Sequence, residues 1–153
     1  RKESTSDLTE LTTGIFQTVI PEVDALDAKK VKRDVACSGK IYFDLLAERR
    51  ARNIEDIAII RLEQLYPFPH EEFAAEMKRY PNAKSVIWAQ EEPGNQGAWH
   101  RIQHYLLRDM RDDQELAYAL RPSSASPAVG YLAKHNEQQK AVLDAALSFT
   151  PIK

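Results

Sequence analysis

The stretch Ser85-Val86-Ile87-Trp88-Ala89-Gln90-Glu91-Glu92-Pro93-Gly94-Asn95-Gln96-Gly97-Ala98-Trp99 decides how this chain is read. Its first five residues form an apolar run short enough for a buried strand. From Gly97 onward the pattern turns helical, with Trp99, Ile102 and Leu106 on one stripe. Between them lie two adjacent carboxylates, a Pro-Gly turn and two amides. A strand that hands over to a helix is the half-unit of an α/β sheet. The carboxyl end of such a strand is where ligand and partner contacts collect.

The same alternation recurs on both sides. Apolar, β-branched runs at Asp34–Cys37, Ile57–Leu62 and Leu116–Leu120 read as further strands, spaced about 22 to 30 residues apart as βαβ units are. Amphipathic segments separate them. Ile41, Tyr42, Leu45, Leu46 and Arg49 share one stripe, with the arginine expected to snorkel to solvent. Phe73, Met77 and Tyr80 form a second, with Glu71 and Glu72 at its start and Lys78 and Arg79 at its end, an order that complements the helix dipole. A last helix is expected to open at Ser126-Pro127, with serine as N-cap and proline in the first turn, and to run through Val129, Leu132, Leu143 and Leu147. These units predict an α/β domain over residues 31–150, with a mainly parallel open sheet and right-handed crossovers. Residues 1–30 read as a leading segment and linker: a short helix at Ser6–Thr13, an extended piece at Ile15–Ile20, then a loop with Pro21, Glu22, Asp24 and Asp27.

Composition narrows the class. With 153 residues, 43% of them hydrophobic, the chain can bury one core. A net charge of -2, from 21 basic and 23 acidic residues, weighs against nucleic-acid and membrane-surface partners, which favour a basic excess. The lone Cys37 cannot form an intrachain disulfide, which fits a reducing compartment. No apolar run approaches the roughly 20 residues of a membrane span. The chain opens on Arg1 and its first methionine is Met77, so it is expected to be a piece of a longer polypeptide.

Several segments could carry chemistry. Ser38-Gly39-Lys40 closes the first strand and opens a helix, a geometry that can hold an anion on free N–H groups. It lacks the upstream glycine and the final hydroxyl of a P-loop, and a plain tight turn is the simpler reading. Cys37, inside a strand run, reads as a small buried residue rather than a nucleophile. In Leu65-Tyr66-Pro67-Phe68-Pro69-His70 two prolines bracket an aromatic, so the loop either packs on a neighbouring domain or plugs its own fold. Glu91 and Glu92 have no partner nucleophile nearby in sequence. They are expected to cap a helix or to meet arginines of another domain, with Arg121 as a partner inside this one. Arg121 also starts a hydroxyl-rich loop that could hold an anion. His100 and His104 share a helix face without a third metal ligand, so no metal site is expected.

Taken together, three segments resemble one family. Gln64-Leu65-Tyr66-Pro67-Phe68-Pro69, Glu91-Glu92-Pro93 with Asn95-Gln96-Gly97-Ala98-Trp99, and Arg121-Pro122 with Ser124 to Tyr131 are similar to the carboxy-terminal region of 2-oxoglutarate dehydrogenases. Cys37-Ser38-Gly39-Lys40 with Tyr42, Asp44 and Leu45 is similar too, and the resemblance spans about residues 8 to 147. It implies a transketolase carboxy-terminal-domain-like fold, a mixed sheet of about five strands with one antiparallel edge and helices on both faces. It also implies a context. The full enzyme would decarboxylate 2-oxoglutarate on thiamine diphosphate and Mg²⁺ and pass the succinyl group to a lipoyl arm of dihydrolipoyl succinyltransferase, in the tricarboxylic acid cycle. The setting would be the bacterial cytoplasm or the mitochondrial matrix.

The cofactor would lie outside this domain, since the glycines at 14, 39, 94, 97 and 130 never form the Gly-Asp-Gly of the diphosphate motif. No catalytic residue is therefore carried over. Implied partners are the remaining domains of the same chain, the homodimer and the succinyltransferase. Tyr66, Phe68, Glu91, Glu92, Asn95, Gln96 and Trp99 are the interface candidates, and Ser38, Gly39, Lys40 and Arg121 the candidates for an anion or effector. The rival reading is a free-standing nucleotide- or acyl-CoA-binding α/β domain, which lacks the G-x-G-x-x-G fingerprint.

Overall fold

The computed structural model describes residues 5–6 and 8–149. Five strands form one sheet: β1 (Val19–Ile20), β2 (Arg33–Cys37), β3 (Ile57–Leu62), β4 (Ser85–Pro93) and β5 (Glu115–Arg121). Their order is β1-β3-β2-β4-β5; every pairing is parallel except the antiparallel β1–β3 edge. The mixed five-strand α/β sheet therefore matches the expectation, and the polar leading segment supplies its antiparallel edge. A two-residue strand suffices there, because an edge strand bonds on one side only.

The helices are α1 (Leu8–Thr13), α2 (Ile41–Ala51), α3 (His70–Arg79), α4 (Trp99–Asp109) and α5 (Leu132–Leu147). Of the expected Ser6–Thr13 helix, Leu8–Thr13 is helical and Asp7 lies outside the described residues. Helices α2 and α5 cover one face of the sheet, where Tyr42, Leu45, Val142 and Ala146 pack on Val35, Ile59 and Ile87. Helices α3 and α4 cover the other, where Phe73, Met77, Ile102 and Leu106 pack on Ile60, Val86 and Trp88. Burial on both faces explains why the central strands read as continuous apolar runs rather than alternating ones.

Three sequence expectations are corrected. Arg49 does not snorkel: its side chain is 1% exposed and pairs with Glu22, itself 0% exposed. A guanidinium can enter a core only with its charge matched and its donors used, and here both conditions hold. Arg49 donates to Glu22 Oε1 at 2.8 Å, to Asp24 Oδ2 at 2.6 Å and to the Ile57 carbonyl at 2.9 Å. Glu22 Oε2 in turn accepts from the Ile59 N–H at 2.7 Å. The loop around Pro21 to Asp27 is thus tied into the core by charge.

The second correction concerns the last helix. Ser126 does not cap it; α5 opens at Leu132, and the Ser126 hydroxyl donates instead to the Ala128 carbonyl at 2.9 Å. Residues 122–131 remain a loop, with Ser124 and Ser126 side chains bonded within it and the Ser124 backbone bonded to Asn95 and Gln96. The third concerns β4, which continues beyond Ala89 to Pro93.

Candidate functional site

The chain passes from β2 to β3 on one side and then crosses to β4 on the other. This places the topological switch point, where open α/β sheets take ligands, between the carboxyl ends of β2 and β4. Ser38-Gly39-Lys40 and Gln90-Glu91-Glu92 meet there. Gly39 turns the chain at φ +74°, a conformation that a side chain would strain. On the opposite strand the pairing slips: Ala89 pairs with Ala119 and Pro93 with Arg121, so β4 bulges over residues 90–92. A bulge re-aims side chains, and here it turns Gln90 inward.

Gln90 is the hub of the site, and sequence reasoning missed it. It is buried, and it is uncharged beside the two glutamates that follow it. Its Oε1 accepts from the Trp88 indole N–H at 2.9 Å and from the Trp99 backbone N–H at 3.0 Å. Its Nε2 donates to the carbonyls of Gln96 at 2.8 Å and Pro93 at 3.3 Å. Gln90, not Glu91 or Glu92, therefore satisfies the first turn of α4, which corrects the capping expectation. Gly97 lies against it at φ +68°, and a Cβ there would stand 2.7 Å from Gln90 Nε2. The only available signal was a lone amide at the end of an apolar run. Truncating Gln90 to Leu should cost about 1–3 kcal/mol, since it leaves the indole and helix donors unpaired. Urea denaturation of Gln90→Leu beside Trp88→Phe/Gln90→Leu measures it, and the double variant should lose less than the two single changes combined.

The charged candidates pair with one another. Lys40 Nζ lies 2.5 Å from Glu91 Oε1 and 3.4 Å from Asp44 Oδ2. The Glu91 carboxylate holds the Lys40 ammonium above its ordinary range. Arg121 does not pair with Glu91 or Glu92. Its Nη2 donates to Gln139 Oε1 at 2.8 Å, and its Nη1 lies 3.2 Å from His135 Nδ1. Gln139 Nε2 bonds Asp44 Oδ2 at 3.2 Å and Glu91 Oε1 at 3.3 Å, so the amide relays between the arginine and the two acids. A salt bridge needs side chains that reach, whereas α5 interposes Gln139. Lys40 is thus paired with Asp44 and Glu91, whereas Arg121 reaches these acids only through Gln139, and its Nε has no hydrogen-bond partner among the described residues.

The interface candidates divide. Asn95 Nδ2 donates to the Ser124 carbonyl at 2.9 Å and its Oδ1 accepts from the Ser124 N–H at 3.0 Å; Gln96 Nε2 reaches the same carbonyl at 3.0 Å. Both amides therefore clamp two loops of this domain together. Phe68 is buried against Phe73 and Tyr105, with ring centroids 5.6 and 5.3 Å away, which makes it an internal plug. Trp99 is half-buried on the same core and meets Tyr118 at 5.2 Å. Tyr66, in contrast, is 86% exposed. Glu92 is exposed and forms no ion pair among the described residues. Beside them lies a groove of about 780 Å³ with Leu65, Trp88 and Ile102 among its walls and His100, Arg101 and His104 along α4. Cys37 is buried, its thiol pushed up by burial, and so stays protonated and unreactive.

The 2-oxoglutarate dehydrogenase C-terminal family matches residues 5–147. The chain belongs to this family. It is 58% identical over 147 residues to the 2-oxoglutarate dehydrogenase E1 component of Cupriavidus necator, covering 96% of this chain and 16% of that protein. The E1 components of Haemophilus influenzae and Azotobacter vinelandii are 54% and 52% identical, over 94% and 96% of this chain and 15% and 16% of theirs. The chain thus spans about a sixth of the length of these relatives, and it corresponds to their carboxy-terminal domain.

Proposed function

We propose that this is a non-catalytic assembly and regulatory domain of a 2-oxoglutarate dehydrogenase. The full enzyme would decarboxylate 2-oxoglutarate with thiamine diphosphate and Mg²⁺ held by its other domains, then succinylate the lipoyl group of dihydrolipoyl succinyltransferase. The observation that carries the reading is the charged network beside the switch point. Lys40, Asp44, Glu91 and Arg121, beside the ends of β2, β4 and β5, are linked to each other directly or through Gln139. These charges are used within the domain, and beside them the surface presents Tyr66 and Glu92. These two are the proposed contacts with the homodimer partner.

Two variants of the full-length enzyme test this. Tyr66→Asp should weaken the dimer at least about tenfold in sedimentation, as loss of a buried interface aromatic does. Its turnover per intact dimer should stay unchanged. Lys40→Ala should leave thiamine diphosphate affinity unaltered. A dimer of undiminished strength in Tyr66→Asp, or a collapse of cofactor affinity in Lys40→Ala, would contradict the reading.

A further inference from the structure

The two edges of the sheet are unlike. Strand β1 has only two residues, which blunts its edge, whereas β5 runs from Glu115 to Arg121 without a proline or a lysine to guard its open side. The Glu115 N–H donates to the Lys84 carbonyl at 2.8 Å, and the Arg121 carbonyl accepts from the Gly94 N–H at 2.9 Å. The odd-numbered residues of β5 therefore bond toward β4. The N–H and C=O groups of Leu116, Tyr118 and Leu120 point the other way, and they meet no partner among the described residues. The flanking helices are held inboard, α4 to α3 through Asp109 and His70, and α5 to α2 through Asp144 and Arg52. Tyr118 stands beside Trp99 at this edge and is 48% exposed.

The strand reads Glu-Leu-Ala-Tyr-Ala-Leu-Arg, a palindrome in its middle with opposite charges at its ends. We propose that β5 pairs antiparallel with β5 of a second copy of the subunit, on a two-fold axis at Tyr118, joining the two sheets edge to edge. The proposal rests on the homodimer reading above and adds a contact at a different edge from Tyr66 and Glu92. In this register Tyr118 faces Tyr118, Leu116 faces Leu120, Ala117 faces Ala119 and Glu115 faces Arg121. The outward-pointing residues thus face one another, and each such pair exchanges two N–H···O=C bonds. A slip of one residue would set outward groups against inward ones, and a slip of two would part Glu115 from Arg121. The end charges suit the pairing. Glu115 is exposed and forms no ion pair among the described residues, while Arg121 meets Gln139 and His135 but no carboxylate. A two-fold contact needs a surface complementary to itself, which this strand is and an unrelated strand need not be. One strand pair covers far less than the roughly 1,200 Å² of a stable interface, so it adds to a dimer held elsewhere as well.

The test uses the full-length enzyme. Tyr118→Cys sets two thiols on the axis, where Cα atoms of a bonded antiparallel pair lie about 5.5 Å apart, within disulfide range. Mild oxidation should link the subunits through position 118, identified by mass spectrometry of the joined peptides. Leu107→Cys, 59% exposed on α4 and off the axis, should link at least about tenfold more slowly. In the unmodified enzyme, the amides of Leu116, Tyr118 and Leu120 should exchange hydrogen at least about tenfold more slowly than free amides, as bonded ones do. Linkage as fast at Leu107→Cys as at Tyr118→Cys overturns the proposal, and so does exchange of those amides at the free rate. Protection without linkage in a folded Tyr118→Cys enzyme means that a different strand fills the edge, which overturns it too. Oxidative dityrosine coupling of the unmodified enzyme at position 118 repeats the linkage measurement should Tyr118→Cys perturb the fold. The Tyr66→Asp experiment reads dimer strength and this one reads strand position, so each can fail alone.

Discussion

Replacing Arg49 with leucine will destabilise the fold by about 3–5 kcal/mol, the cost of leaving a buried charge without its partner. The charge left behind is Glu22, whose side chain is 0% exposed. It would keep its bonds from the N–H groups of Ile59, at 2.7 Å, and Asp24, at 2.8 Å, but lose the cation that neutralises it. Against a typical net stability of about 5–15 kcal/mol, that loss brings the domain close to unfolding at ordinary temperature. Urea denaturation followed by circular dichroism gives the number. Two companions sharpen it. Glu22→Gln/Arg49→Met removes both charges and should recover much of the loss, since apolar replacements for a buried pair are often neutral. Arg50→Ala, which removes a 55% exposed partner of Asp24, should cost less than about 1 kcal/mol. If Arg49→Leu cost no more than Arg50→Ala, the buried pair would not be what ties the Pro21–Asp27 loop to the sheet.

The second large effect is a pH dependence. Asp34 is fully buried in β2; its Oδ1 has no hydrogen-bond partner among the described residues, and Gln114 Nε2 is 3.4 Å from Oδ2. Burial pushes its carboxyl from the ordinary 3.8 up to about 8, a rise that nearby Glu76 reinforces and Arg111 only partly offsets. The folded state therefore holds a proton that the unfolded chain gives up above about pH 4. The contribution of Asp34 is full below about 3.8 and falls as pH climbs toward 8, by up to about 1.4 kcal/mol per pH unit. Asp34→Asn removes the titration. Its urea midpoint should match the parent near pH 4, exceed it increasingly toward pH 8, and lose this part of the pH slope. Equal slopes in both proteins between about pH 5 and 8 would show that Asp34 is ionised in the native state.

The periodicity of the chain carried much of the fold. Ile57–Leu62 is a strand with the bounds its apolar run suggests, and β2, β4 and β5 lie within a few residues of theirs. The Glu71-Glu72 and Lys78-Arg79 order brackets α3 as the dipole rule requires. These features were legible because they depend on neighbours one helical turn or one pleat away. Arg49, Ser126 and Gln90 were not. Arg49 sits where a snorkelling residue would, and only the return of Glu22 from 27 residues away makes burial tolerable. Ser126-Pro127 has the right residues for a helix start, yet its turn closes locally before α5 begins. Gln90 has no local signal strong enough to compete with the two glutamates beside it.

The sequence by itself determined the α/β alternation, the single buried cysteine and, through its three motif segments, the family. Those are properties of short-range pattern and of residue identity, which the chain carries whether folded or not. Only the tertiary structure decided that β1 closes the sheet edge, that Lys40 rather than Arg121 meets Glu91, and that Gln90 holds the start of α4. Each of these is a contact between residues whose separation in space is set by the strand order β1-β3-β2-β4-β5. That order follows from how two helical layers bury both faces of the sheet at once, and no local window of residues contains it.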